Sequence, residues 1–192
     1  MIDRARILVV AATERELAPP AGWLTLRCGV GPVEAAIATA AAIAAHRPLA
    51  ILHVGIAGAR RASAMAPAAL VIGDAARYCD LTVSPEWAPS LLHPAPAMLA
   101  AVQRVLPDAP RLCIGTSARI GGSTDCDVEA MEGFAVLRAA EIAGIPAIEV
   151  RSISNEIEER DRTRWHFDHA FSAITAITPQ LVDAIARSLP DA

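Results

Sequence analysis

Glu129-Ala-Met-Glu-Gly-Phe134 and, further along, Arg151-Ser-Ile-Ser-Asn155 are the stretches on which the reading of this chain turns. The first sets a carboxylate and a thioether near the start of a helix. The second closes an apolar run, Ile145 to Val150, in a cluster of small polar groups. Apolar runs of strand length recur on both sides of them. Arg6 to Ala12 and Leu49 to Val54 are continuous, and Trp23 to Cys28 alternates. Ala68 to Ile72 continues as Ala75 to Tyr78 after a turn or bulge at Gly73-Asp74, and Arg111 to Ser117 and Ala147 to Ile153 complete the strands. Between them, Val33 to His46, Pro96 to Leu106, Val128 to Ala143 and about Phe167 to Leu189 read as helices. Pro48 stops the first, and Pro179 is expected to kink or divide the last. Ser84 to Pro96, rich in proline, is a loop. Strands that are apolar along their whole length and alternate with helices imply a sheet covered on both faces, an α/β/α sandwich.

At 192 residues the chain fits one domain spanning 1–192. Hydrophobic residues make up 54% and charged residues 20%, but much of the apolar count is alanine. The weakly polar run Val33 to Ala45 carries Glu34 and is too short to cross a bilayer. Asp3, Arg4 and Arg6 lead directly into a strand, without the pattern of a signal peptide, so a cytoplasmic protein with no membrane partner is expected. Every basic residue other than histidine is arginine, which removes lysine Schiff-base chemistry and a lysine phosphate clamp. A net charge of −4 with scattered arginines forms no basic stripe for nucleic acid. Cys28, Cys79, Cys113 and Cys126 contain no C-x-x-C pair and read as buried thiols rather than a zinc site.

In open α/β sheets ligands sit beyond the strand ends, where loops enter helices. That rule selects Glu14 and Glu16, Gly29 and Gly31, Gly55 to Gly58, Thr116 to Gly122, and Ser154 with Asn155. The Gly29-Val-Gly31 pair is no dinucleotide fingerprint: the third glycine and the acidic residue at the end of the next strand are missing. Taken alone, Glu16 reads as a solvated helix-start residue, Glu132 as a first-turn carboxylate favoured by the helix dipole, and Asn155 equally as a turn cap or a ligand contact.

Together, Gly29-Val-Gly31, Gly55-Ile-Ala-Gly58, Glu129 to Phe134 and Arg151 to Asn155 resemble the nucleoside phosphorylase and nucleosidase superfamily, and within it the futalosine hydrolase family. The resemblance runs from about Ile7 to Trp165. It implies a nucleoside phosphorylase-like fold, a three-layer α/β/α sandwich with a mixed central sheet. The implied activity is N-glycosidic hydrolysis of futalosine to hypoxanthine, on the way to menaquinone, with neither metal nor organic cofactor. The implied partners are a small-molecule nucleoside and further copies of the chain, as a dimer or larger homo-oligomer.

Residue by residue, the resemblance makes Glu16 the group that orients the attacking water, while Glu14 stays a surface residue. Met131 packs on the ribose and Glu132 accepts hydrogen bonds from its hydroxyls, which an acceptor-only carboxylate can do for two at once. Asn155 stands where adenine-cleaving relatives carry aspartate, and an amide can donate to O6 of a 6-oxopurine. Asn155 with backbone groups near Ile120 to Gly122 would stabilise the departing base, and Gly58, Ile120, Arg151 and Ser154 complete the binding set. The base-stacking group has no clear counterpart: Arg119, Ile120 and Phe134 are candidates, with Trp87 and Trp165 behind them. Glu156 to Trp165 resembles the matching loop of the futalosine hydrolase family in its Arg-Asp-Arg and Trp, which implies a cover for the site with Arg160 or Arg162 near the substrate carboxylate, though a surface ion-pair cluster reads equally well. A carboxylate at position 16 would repel a phosphate dianion, and Arg15, Arg60, Arg61 and Arg119 read as surface groups, so hydrolysis is favoured over phosphorolysis. A methylthioadenosine- or inosine-type nucleosidase or phosphorylase and a non-catalytic nucleoside-binding module stand as the alternatives.

Overall fold

A computed structural model describes residues 1–122 and 125–190. The first strand, β1 (Ile7–Ala11), is buried at every position. It runs parallel to β2 (Leu24–Arg27) on one side and β3 (Ala50–Ala59) on the other. Between them α1 (Pro32–His46) starts on a proline at its first turn, preceded by Gly31 at φ 95°, and ends on Arg47 in the left-handed region. Then follow β4 (Leu70–Tyr78), a two-residue β5 (Leu91–Leu92), α2 (Pro96–Val105) and β6 (Arg111–Thr116). The chain continues through β7 (Val128–Ala130), α3 (Gly133–Ile142), β8 (Ala147–Glu156) and α4 (Phe167–Ser188).

Why the strands read as unbroken apolar runs is visible in β1. Ile7, Val9 and Ala11 join the core shared with Met98 and Val102 of α2 and Ile174 and Leu181 of α4. Leu8 and Val10, pointing the other way, join Ala35 and Ala42 of α1 and Phe134 to Leu137 of α3. A sheet covered on both faces needs apolar side chains at both parities, which makes the expected three layers.

The sheet is mixed and partly closes on itself. β8 pairs parallel with β3 and antiparallel with β4; β4 then pairs with β6, β6 with β7, and β7 returns antiparallel to β3. Inside this circuit lies a third core of mostly small residues, including Ala57, Ala59, Val71, Ile114, Val128, Ala130 and Ile153.

Five expectations change. The helix expected from Val128 starts only at Gly133, because Val128 to Ala130, all buried, fill the slot between β3 and β6 as a strand. The strand expected to stop at Val54 continues through Gly55 and Gly58 to Ala59, and the one expected to stop at Ile153 continues to Glu156, each completing the ladder of the other. The loop 84–96 contains a short strand, β5. Pro179 sits inside an undivided α4, since Ile174 before it and Leu181, Val182 and Ile185 after it bury into one core, and tertiary packing outweighs a missing backbone bond. The bulge expected at Gly73-Asp74 is present as a register shift between Gly73 and Ala75.

Candidate functional site

Beyond β1 the chain turns through a short 3₁₀ segment, Glu14–Glu16, that points Glu14 to solvent and Glu16 inward. Glu16 is 3% exposed. Its Oε2 accepts from the Thr13 amide at 2.8 Å and the Thr13 hydroxyl at 2.7 Å, and its Oε1 accepts from the Ile56 amide at 3.0 Å. Those three donors fix the carboxylate's direction and leave lone pairs unused. Ile56 can serve because β3 runs on past Val54, and Gly55 beside it is necessary: a Cβ there would overlap the Arg151 guanidinium and lie 2.8 Å from Glu16 Oε1.

Glu132 stands at the N-cap of α3, and its Oε1 accepts from the Gly31 amide at the mouth of α1 at 3.0 Å. Below it runs a polar seam on the face of the sheet that packs against α3. Arg151, 1% exposed, donates through Nε to Glu149 Oε1 at 2.7 Å, with Nη1 3.3 Å from Ile56 O and Nη2 2.5 Å from His53 Nε2. Glu132 Oε2 is 3.5 Å from the same Nη2. His53 Nδ1 lies 3.0 Å from the Val10 carbonyl, so Nδ1 carries the proton and Nε2 accepts from Arg151. Burial, and after it the Arg151 charge, hold His53 well below its ordinary pKa, in keeping with a neutral ring. Burial likewise raises Glu132 and Glu149, with Arg151 pulling both back. For Arg151, burial opposes the charge, but Glu149, Glu132 and Glu16 together raise its pKa.

Asn155 and Ser154 lie within β8 rather than after it, with Asn155 in register with Gly58. The Ser154 hydroxyl is 2.7 Å from Asn155 Oδ1, and Asn155 Nδ2 donates to Glu156 O at 2.9 Å. Because a carbonyl only accepts, the amide nitrogen must face Glu156, and it keeps a second N–H. Gly58 makes room, since a Cβ there would come within 3.0 Å of Asn155 Nδ2.

These groups meet at a cavity of about 480 Å³. Glu16, Gly58, Ile120, Met131, Glu132, Ser154 and Asn155 all line it, whereas Arg151 lies beneath the lining, fully engaged in the seam. Thr13, Val30 and Glu129 also line it, as do Phe167 and Phe171, which sequence reasoning passed over although their i, i+4 spacing marks one helix face. His53 and Glu149 were hidden as single polar residues inside apolar runs.

Phe134 does not line the cavity. It is 7% exposed and stacks on Tyr78 at 5.3 Å in the core beside α3. Trp87 is exposed outside the lining, and Arg119 is exposed and outside it too. Trp165 does line the cavity, with its ring 5.4 Å from Phe167, which stacks in turn on Phe171 at 6.1 Å. Arg162 lies 5.6 Å over Trp165 and reaches the cavity, while Arg160 lines an adjoining depression. Arg15 is held outside by Phe171 at 4.4 Å and Asp168 at 2.6 Å, and Arg61 by Glu156 at 2.6 Å. Two backbone donors expected to face the base are already committed: Gly121 N–H to Glu129 Oε1 at 2.5 Å, and Gly122 N–H to Arg119 O at 3.2 Å.

The sequence profile of the Phosphorylase superfamily matches residues 23–187. A futalosine hydrolase of Streptomyces coelicolor is 34% identical over 199 aligned residues, covering 89% of this chain and 80% of the relative. The chain belongs to the phosphorylase superfamily, in its futalosine hydrolase branch. Among solved structures of similar fold are an S-adenosylhomocysteine nucleosidase of Streptococcus pyogenes in complex with 5-methylthiotubericidin (TM-score 0.80, 21% identity, 96% of this chain and 97% of that one) and the futalosine hydrolase of Helicobacter pylori (TM-score 0.79, 15% identity, 92% and 97%). In this member of the phosphorylase superfamily, no helix among the described residues is long and apolar enough to cross a membrane.

Proposed function

We propose that this protein hydrolyses the N-glycosidic bond of futalosine, releasing hypoxanthine and leaving the modified ribose for menaquinone synthesis. The observation that carries the substrate is Asn155: a side-chain amide at the cavity, oriented by Ser154 and Glu156, with one N–H left for O6 of a 6-oxopurine. The 34% identity to a futalosine hydrolase supports the same reading.

In this mechanism a water held by the free lone pairs of Glu16 attacks the anomeric carbon as the C–N bond loosens. The developing sugar cation needs only a weak, well-placed nucleophile, and a carboxylate beside it both orients the water and takes its proton. Glu132 accepts from the ribose hydroxyls through the lone pairs that Gly31 leaves unused, and Met131 packs on the sugar. Charge left on the hypoxanthine is met by the Asn155 N–H. Trp165, Phe167 and Phe171 supply the aromatic wall, and Arg162, at the same mouth, is the cation for the substrate carboxylate. Glu16, Glu129 and Glu132 line the cavity with Arg162, while the Arg151 guanidinium beneath them is already engaged by Glu149 and Glu132, and this balance disfavours a phosphate dianion as nucleophile.

The test is to incubate futalosine, aminofutalosine, inosine and methylthioadenosine with the protein, with and without phosphate, and to chromatograph the free bases. Hypoxanthine from futalosine at a rate independent of phosphate is expected. Equal or faster release of adenine from methylthioadenosine would overturn the substrate while leaving the superfamily intact, and no release from any nucleoside would favour a binding module. We also infer a cytoplasmic homo-oligomer, at least a dimer: Val30, Val33 and Ile37 are 56%, 65% and 65% exposed beside the cavity mouth, an apolar surface suited to a second copy. Light scattering should report at least twice the chain mass.

A further inference from the structure

Cys113 on β6 and Cys126, just ahead of β7, bring their sulfurs to 3.5 Å although they are remote from any motif spacing. The register brings them near each other, since Ile114 pairs with Val128 in the parallel β6–β7 ladder, with Cys113 one residue and Cys126 two residues before that pair. Cys113 is half-buried, whereas Cys126 is 3% exposed, so an outside reagent meets Cys113 first. Arg77, on the neighbouring strand β4 two residues past the partner of Cys113, places a positive charge near that sulfur. The Cys126 S–H donates to the Cys113 sulfur. Such a setting stabilises a thiolate. In keeping with it, the Cys126 donor, and after it Arg77, bring Cys113 down to about 7 against the effect of burial, while Cys126 is pushed up and keeps its proton. Among the described residues, no group of three or more His, Cys, Asp or Glu side chains is placed to hold a metal ion.

We propose that Cys113 and Cys126 are a reversible dithiol–disulfide pair, oxidised by hydroperoxides, whose closure misaligns the nucleoside cavity. The Cys113 thiolate attacks a peroxide oxygen; an S–O bond forms, the O–O bond breaks, and hydroxide leaves. The Cys126 sulfur then attacks the Cys113 sulfur, an S–S bond forms, and the S–O bond breaks. The departing hydroxide takes the Cys126 proton. Two electrons pass from the sulfur pair to the peroxide, which ends as water.

Closure must draw the sulfurs from 3.5 Å to about 2 Å. That shift falls on the entry to β7. Two residues past Cys126, β7 begins, and its Glu129 lines the cavity and holds the Gly121 amide beside Ile120. Displacements near 1 Å at a positioned site cost up to about 100-fold in rate, so a fall of roughly tenfold in kcat/KM is expected here.

The test treats reductant-free protein with hydrogen peroxide and measures intact mass, disulfide-linked peptides and nucleoside hydrolysis. The expected result is the loss of two hydrogens in mass, one linked peptide joining Cys113 to Cys126, and a fall in kcat/KM that dithiothreitol reverses. Cys79→Ser removes a neighbour of Cys126 and should still form the Cys113–Cys126 bridge. Cys126→Ser should form no bridge and instead yield a dimedone adduct on Cys113; Cys113→Ser should yield neither. Absence of a bridge, a bridge to Cys79 or Cys28, or a Cys113–Cys126 bridge with unaltered kinetics would each overturn the proposal. The mass readouts are independent of the substrate assignment, and the kinetics are taken on whichever nucleoside the reduced protein cleaves. Failure on futalosine alone is thereby kept apart from failure of the switch.

Discussion

Asparagine and aspartate differ at position 155 by an amide for a carboxylate, and the purine edge sees the difference as a donor against an acceptor. In Asn155→Asp a carboxylate would face both O6 of the base and the Glu156 carbonyl that Nδ2 now serves. An unmade buried hydrogen bond costs about 1–3 kcal/mol, so kcat/KM on futalosine should fall by roughly one to two orders of magnitude. The same carboxylate can accept from a 6-amino group, so aminofutalosine should gain relative to futalosine. An unchanged ratio of kcat/KM for the two substrates would mean that Asn155 serves the backbone alone. At the other end of the cavity, Glu16→Gln keeps the shape but removes the base, and the rate should fall by on the order of 10²–10⁴ with folding retained. Exposed Glu14 is the control: inactive Glu14→Gln beside active Glu16→Gln would reverse the assignment.

Elements bring these side chains together, and glycine is what lets them approach. Strand β3 passes close under Glu16 and Arg151 at Gly55, where a Cβ would overlap the guanidinium. Gly55→Ala forces Arg151 away from His53 and Glu149 and pushes on Glu16. Overpacking of this kind costs about 1–3 kcal/mol of stability. Activity should fall further than the loss of folded protein accounts for, because the carboxylate that holds the water is displaced; chemical denaturation and single-turnover rates measured side by side would show it. A loss of activity matching the unfolded fraction would place Gly55 in packing only. At Gly133, where α3 begins, an added Cβ would overlap the Glu149 carboxylate, so the start of that helix is tied to the same seam.

At the scale of the molecule, the seam ties stability to pH through His53. In the fold burial and Arg151 keep the ring neutral, whereas in the unfolded chain it titrates near 6.5. Below about 6.5 the unfolded state therefore binds the extra proton, and this contribution to stability, complete at higher pH, is lost at up to about 1.4 kcal/mol per pH unit as the pH falls. Glu132 and Glu149 act with the opposite sign: their pKa values are raised in the fold, so their protonation on acidification favours it. The comparison that isolates the ring is His53→Gln against the parent. The stability difference should be flat above about pH 7 and shift against the parent below 6.5; parallel curves down to pH 5 would mean that the ring is protonated in the fold.

Much of this is legible in the sequence alone. Continuous apolar runs such as Ile7 to Ala11 read as buried strands because a sheet covered on both faces needs apolar side chains at both parities. Met131 and Glu132 read as lying near a helix start, but the sequence places that start at Val128 rather than at Gly133. Other features needed the tertiary structure. The strand at Val128 to Ala130 exists because β3 and β6 offer ladders on either side, and three residues carry too little pattern to announce it. His53, Glu149 and Arg151 look like interruptions in apolar runs until the register of β3 with β8 sets them side by side. Phe167 and Phe171 reach the cavity only because α4 crosses the site, and Cys113 meets Cys126 only through the pairing of β6 with β7. Periodicity and capping are encoded among neighbouring residues and can be read one segment at a time. Contacts between distant segments depend on which strands pair and in what register, and that choice is made by the energy of the whole core.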